Sequence, residues 1–166
     1  THTDALDWSW LEVNSPKIIV GNPPFRGDRK TDSHRRSQTP RREQEADRYL
    51  NYAIDRLAPD GYLAMLMPQS FLAAEASPEL RKKLLENCDL TEIWELPTGV
   101  FPGVSQETIV LFAKKRSATG KILEFPTRVR NVQKKTLIEF REKSIFSTSV
   151  IALSQNRWNE VSRRSD

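Results

Sequence analysis

Four consecutive residues carry the densest chemical signal in the chain: Asn22-Pro23-Pro24-Phe25. They set an amide oxygen, two rigid imide units and a flat apolar ring side by side. That set suits a planar amine whose nitrogen lone pair is delocalised. Two acceptors aimed at its two N–H bonds draw the nitrogen toward tetrahedral geometry and free the lone pair to attack an electrophilic carbon. The Asn22 side-chain oxygen is one such acceptor, and the Pro23 carbonyl is a candidate for the other. Pro23 and Pro24 each fix their own φ and restrict the residue before them, so the acceptors are held before substrate arrives. Phe25 offers a stacking face for a planar ring, an interaction of roughly 1–3 kcal/mol per base. The chemistry needs neither a metal nor a strong base. The plainer alternative is that Asn-Pro-Pro only ends a strand in a turn.

The residues before the motif favour the chemical reading. Lys17-Ile18-Ile19-Val20 is a short β-branched run without alternation, the pattern of a parallel strand buried on both faces. Two prolines in a row cannot continue such a strand. In open α/β sheets, ligands bind beyond the carboxyl ends of the strands, and the motif sits at such an end.

The elements that must position it follow in alternating order. Arg26 to Arg42 holds seven Lys or Arg and nothing able to anchor a core, so a loop is expected. Residues 43–57 read as a helix, with Ala46, Tyr49, Leu50, Ala53, Ile54 and Leu57 on one face. Tyr62 to Met67 is a second buried strand, closed by Pro68. Ser77 and Pro78 are expected as N-cap and first residue of another helix, whose apolar face is Leu80, Leu84 and Leu85. Residues 90–96 and 107–113 read as two further strands. Strand–helix–strand–helix–strand order argues an open α/β sheet. Beyond Ser117 the pattern weakens to an extra strand at 121–125, a short helix at 135–143 and an extended stretch at 147–153. Glu92 and Glu95 are expected to face solvent, and Cys88 to be a small packed residue.

At this point the chain resembles a family. Ile19-Val20-Gly21-Asn22-Pro23-Pro24-Phe25 is similar to the catalytic motif of the DNA N6-adenine methyltransferases of bacterial restriction–modification systems. Gly61 to Pro68 resembles the next strand of that family. Trp94 to Phe101, followed by Thr108 to Lys115, resembles its late strand pair and intervening loop. The resemblance implies the fold class: α/β, the distal part of a Rossmann-like S-adenosylmethionine-dependent methyltransferase sheet without its N-terminal cofactor-binding strands. It implies Asn22, Pro23, Pro24 and Phe25 as catalytic, and Phe101 as a second aromatic wall facing Phe25 across the target base. Read from the residues alone, Phe101 could equally anchor its loop in the core. The resemblance also implies S-adenosyl-L-methionine as cofactor, with Asp4 of Thr3-Asp4-Ala5-Leu6 contacting its adenine.

The departure from the family is as informative as the match. Gly21, Gly27, Gly61, Gly99, Gly103 and Gly120 form no cofactor-cradling cluster, and the catalytic strand begins at residue 17. The expectation is a fragment: residues 1–116 as a partial catalytic domain and 117–166 as an extension, binding cofactor weakly and inactive in isolation. Its partners are then DNA, the missing N-terminal part of the same protein, and a specificity or nuclease module. The unpaired strand at 17–20 is expected to self-associate or be covered. Arg26, Arg29, Lys30, Arg35, Arg36, Arg41 and Arg42 leave the motif directly and would meet phosphates at the pocket mouth; the alternative is a solvated loop.

Composition narrows the rest. The 166 residues carry 26 Lys plus Arg against 22 acids, a net charge of +4, which points weakly to a polyanionic partner. One cysteine and two histidines argue against a disulfide framework and a structural zinc site. No apolar run approaches the roughly 18 residues of a membrane helix, and no signal segment opens the chain. A soluble, reducing, cytoplasmic setting is the expectation, with no membrane partner. Two other readings remain open: N-methylation of a protein glutamine or of RNA, and a catalytically silent module that binds DNA or a partner subunit.

Overall fold

The computed structural model describes residues 15–25, 45–73, 76–101, 106–117, 125–133 and, for the backbone, 147–153. Asp4, the seven basic residues between Arg26 and Arg42, and the helix expected at 135–143 lie outside the described residues. The elements are β1 (Ile18–Gly21), α1 (Glu45–Arg56), β2 (Tyr62–Pro68), a 3-10 turn (Gln69–Leu72), α2 (Pro78–Asn87), β3 (Cys88–Leu96), β4 (Thr108–Lys115), β5 (Phe125–Asn131) and β6 (Ser147–Leu153). They form one sheet in the order β1-β2-β4-β3-β5-β6. β1 and β2 are parallel, as are β3 and β5, while β4 runs antiparallel between β2 and β3. β5 and β6 continue the same sheet antiparallel to one another.

Helices α1 and α2 supply Leu50, Ile54, Leu80, Leu84 and Leu85 to a core with Leu63, Met65, Met67, Ile109, Leu111, Leu90, Ile93 and Val129 of the sheet. Strand residues two apart share a face, which accounts for Leu63, Met65 and Met67 in β2 and Ile109, Leu111 and Ala113 in β4. In β3 the rhythm breaks. Leu90 pairs with Ala113 and Glu92 with Phe112, a register shift that leaves Thr91 as the extra residue of a bulge. The Thr91 hydroxyl donates to the Phe112 carbonyl at 3.0 Å. Past the bulge, Ile93 and Glu95 face the core, and Glu92 and Trp94 face the other side.

That other side corrects the expectation for the first strand. The unbroken β-branched run predicts burial on both faces of β1, yet Ile18 is 68% and Val20 76% exposed, as is Tyr62 at 57%. Helices cover one face among the described residues, so only Ile19 of β1 packs against the core. A further expectation fails. Glu95 is buried at 7% exposure rather than solvent-facing, because the bulge turns it inward. The extra strand expected at 121–125 falls, but for Phe125, outside the described residues, and a strand is described at Phe125–Asn131.

The amino ends of the strands are stitched by backbone bonds. Ala58 N–H donates to Pro16 C=O at 2.9 Å, Tyr62 N–H to Lys17 C=O at 2.8 Å, and Lys115 N–H to Gly61 C=O at 2.8 Å. Gly61 sits where a Cβ would lie 2.8 Å from the Ala58 carbonyl oxygen and 2.9 Å from that of Lys17. No helix among the described residues is long and apolar enough to cross a membrane.

Candidate active site at the carboxyl edge

The strand directions bring five chain segments to one edge of the sheet. Asn22–Phe25 follow β1, the turn Gln69–Leu72 follows β2, residues 97–101 follow β3 and Val132 follows β5, while Glu107 leads into β4 from the same side. Asn22 is exposed there, Pro23 buried, Pro24 exposed and Phe25 half-buried. Phe25 packs against the hydrophobic core, so the residue is braced on the protein while part of it remains open to solvent. The buried Pro23 anchors the strand end and gives the preceding amide a rigid mount.

Phe101 reaches the same edge, half-buried, after a turn in which Gly99 takes φ 77°. Side chains with a Cβ rarely adopt that value. β2 and β4 lie between β1 and β3, which is three strand spacings or roughly 14 Å. The loop from β3 must therefore lean back over both strand ends for Phe101 to face Phe25.

Three charged residues near this edge are buried, and a half-buried serine bonds to one of them. Asp47 and Arg81 are both buried, as is Glu95, and the Ser77 hydroxyl donates to the Asp47 carboxylate. Ser77 stands at the N-cap of α2, as expected, but makes no side-chain capping bond there. The sequence does hold a signal for the charged pair. Asp47 precedes Leu50 and Ile54 at helical spacing, and Arg81 precedes Leu84 and Leu85, so both fall on apolar stripes.

A second feature lies mid-sheet on the face away from the helices. Ile18, Val20, Tyr62, Ala64, Trp94 and Phe112 line a shallow hollow of about 360 Å³. The Trp94 and Phe112 rings pack at 4.9 Å and 50°. Glu92 accepts from Arg128 at 2.7 Å and from Arg130 at 2.9 Å. Burial pushes the Glu92 carboxyl up, but bonds from Trp94, Arg130 and Arg128 together outweigh it and hold the group below its ordinary value. Ile18 and Tyr62 begin their strands, and on β1 the lining reaches Val20, two residues before Asn22, so the hollow lies mid-sheet and approaches the carboxyl edge from this face. Among the described residues no group of His, Cys, Asp and Glu could hold a metal ion.

Comparison with known proteins agrees with this geometry. A family model described as N-6 DNA Methylase matches residues 1–163. The chain is 32% identical over 141 residues to the type I restriction enzyme EcoEI methylase subunit of Escherichia coli, covering 81% of this chain and 28% of that protein. It is 31% identical over 110 residues to the StySJI methylase subunit of Salmonella typhimurium, covering 64% of this chain and 21% of that one. In fold it is similar to the EcoKI M protein, with a TM-score of 0.59, 23% identity, and coverage of 81% of this chain and 30% of the other. It is also similar to the type I restriction-modification methyltransferase subunit of Streptococcus thermophilus, with a TM-score of 0.59, 18% identity, and coverage of 96% and 39%. The chain thus spans less than a third of the length of these two curated relatives.

Proposed function

The chain belongs to the N-6 DNA methylase family, and on that premise we propose that it forms the acceptor side of a restriction–modification methylase that methylates adenine N6 in DNA. The observation that carries this reading is the seat of Asn22-Pro23-Pro24-Phe25 at the carboxyl end of β1, where an α/β sheet binds its ligands. Asn22 Oδ1 accepts one N–H of the adenine amino group and the Pro23 carbonyl accepts the other. The nitrogen lone pair is released from the ring, and the proton shed after the N–C bond forms leaves toward these acceptors and solvent. Phe25 stacks on the extruded base, with Phe101 as the opposing wall. Stacking and phosphate contacts offset an extrusion cost of a few kcal/mol.

S-adenosyl-L-methionine, when bound, would supply the methyl carbon from its sulfonium, the S–C bond breaking as the N–C bond forms and the remainder leaving as the neutral thioether. In this reading the described residues at the carboxyl edge supply the methyl acceptor's side, and their glycines, Gly21, Gly61 and Gly99, form no cluster to cradle this cofactor. Its binding is therefore assigned to the rest of the parent protein, with Asp4 as this chain's contribution. The same missing part covers the open face and the β1 edge, and a specificity or nuclease module joins the parent. The isolated chain is inactive.

The test is methyl transfer by the full-length parent, with radiolabelled methyl donor and with DNA, RNA and protein offered separately. Label should enter DNA at adenine N6, and Asn22→Ala should lower turnover about 10²–10³-fold, the scale of losing one preorganised polar contact at a reacting centre. Undiminished turnover in that variant, or label in protein or RNA alone, overturns the reading.

A further inference from the structure

Two ionised side chains are buried behind the carboxyl edge although the reaction proposed above uses neither. Asp47, in the first turn of α1, and Arg81, in the first turn of α2, are each 4% exposed. Charges at that depth are costly unless paired and hydrogen-bonded. Arg81 Nη1 donates to the Phe71 carbonyl at 2.9 Å, and the Ser77 hydroxyl donates to Asp47 Oδ2. Burial lowers the Arg81 pKa while the Asp47 charge acts against it. Ser77 holds φ 44° and ψ 49°, a left-handed conformation rare for a residue with a Cβ.

An apolar contact between the helices would hold them together as well, since replacing a buried ion pair by packed hydrocarbon is often neutral or stabilising. What the polar set adds is direction. It ties the start of α1 to Ser77, and it fixes one carbonyl in the turn Gln69–Leu72. That turn leaves β2 directly beyond the pairing of Pro68 with Thr108, with Gln69 N–H donated to the Glu107 carbonyl at 3.0 Å. β1 is the parallel neighbour of β2, with Gly21 level with Met65. The turn therefore leaves the sheet at the same edge as Asn22–Phe25, from the neighbouring strand.

We infer that Asp47, Ser77 and Arg81 form a positioning clamp that sets the turn Gln69–Leu72 against the target base. None of the three touches the base. The inference rests on the reading that a base is gripped at Asn22. A displacement on the order of 1 Å in such a turn is worth up to about 10²-fold in rate.

The experiment uses the full-length parent methylase and DNA carrying 2-aminopurine at the target position. Ser77→Ala removes one hydroxyl, and Asp47→Asn keeps the shape while removing the charge. Each variant should lower kcat about 10- to 100-fold with KM for DNA near that of the parent, and should shift the emission of the bound 2-aminopurine in the folded complex. Should Asp47→Asn not fold, Ser77→Ala decides. Wild-type kcat and emission in folded Ser77→Ala overturn the clamp, as does a loss of rate that merely tracks the folded fraction. Asn22→Ala run alongside separates the two claims. If it is inactive while the clamp variants behave as the parent, only the clamp fails. If it is fully active, the gripping of the base fails first.

Discussion

The Trp94 indole Nε1 donates to Glu92 Oε2 at 2.7 Å, from two residues further along the same strand. Both side chains face away from the helices because the bulge at Thr91 shifts the register. Arg128 and Arg130 complete the shell around the carboxylate. A side chain that would otherwise be a lone charge on a sheet face becomes the link between β3 and β5.

This shell gives an acid-dependent stability. The Glu92 carboxyl is depressed from its ordinary value of 4.5, so its contribution is fully present above that pH and is lost as pH falls through the lower folded value. Thermal unfolding of the chain followed from pH 7 downward should show a smaller acid loss in Glu92→Gln than in the parent. Asp60 is depressed as well, by Ser117 and Lys114, so the acid slope shrinks without vanishing. An unchanged slope in Glu92→Gln would contradict the assignment.

The isolated chain should associate through the β1 edge. Ile18 and Val20 expose β-branched side chains on β1, which pairs only with β2 among the described residues, and an uncovered apolar edge is a template for another strand. Sedimentation velocity should show association that rises with concentration and is suppressed by Val20→Lys. A chain that stays monomeric at every concentration, with β1 ordered, would count against it.

Cys88 should be chemically silent while the chain is folded. Burial pushes its thiol up to about 11, and the thiolate is the reactive form. A disulfide reagent at neutral pH should label it only as fast as the chain opens. Stoichiometric labelling on mixing would contradict the buried placement.

The arginine-rich segment should act through phosphates. Replacing Arg29, Arg35 and Arg36 by Gln in the full-length parent should reduce the slope of log affinity against log salt by about 0.9 for each phosphate that the variant leaves unneutralised. A slope identical to that of the parent would return these residues to the role of a solvated loop.

Much of this is legible because the signals are local. Ile18 to Phe25 announces a strand ended by prolines, and the apolar periodicity of residues 46–57 announces α1. What escapes depends on partners distant in sequence. The Leu90-to-Ile93 spacing is three where a regular strand needs two or four, a sign of the bulge that decides where Glu92 and Glu95 point. The sequence misses the strand through residues 126–131 because Pro126, Arg128 and Arg130 interrupt its apolar count, although Thr127 and Val129 alternate inward. Asp47 and Arg81 fall on apolar stripes, but the partners that hold them, Ser77 and the Phe71 carbonyl, appear only when α1, α2 and the turn after β2 are brought together. The exposure of β1 cannot be read from Ile18-Ile19-Val20 at all, since burial of a strand is set by what covers it.

The main-chain stitches that join Pro16, Lys17, Ala58, Gly61 and Lys115 use no side chain except the hydrogen of Gly61. Side chains reinforce this amino end of the sheet, with Lys17 Nζ donating to the Pro59 carbonyl, Lys115 Nζ to the Ile54 carbonyl and Asp60 held by Lys114 and Ser117, whereas the opposite end is made of loops. A scaffold closed at one end by main-chain bonds leaves the loops at the other end free to vary, so loop exchange at the carboxyl edge should retain the fold.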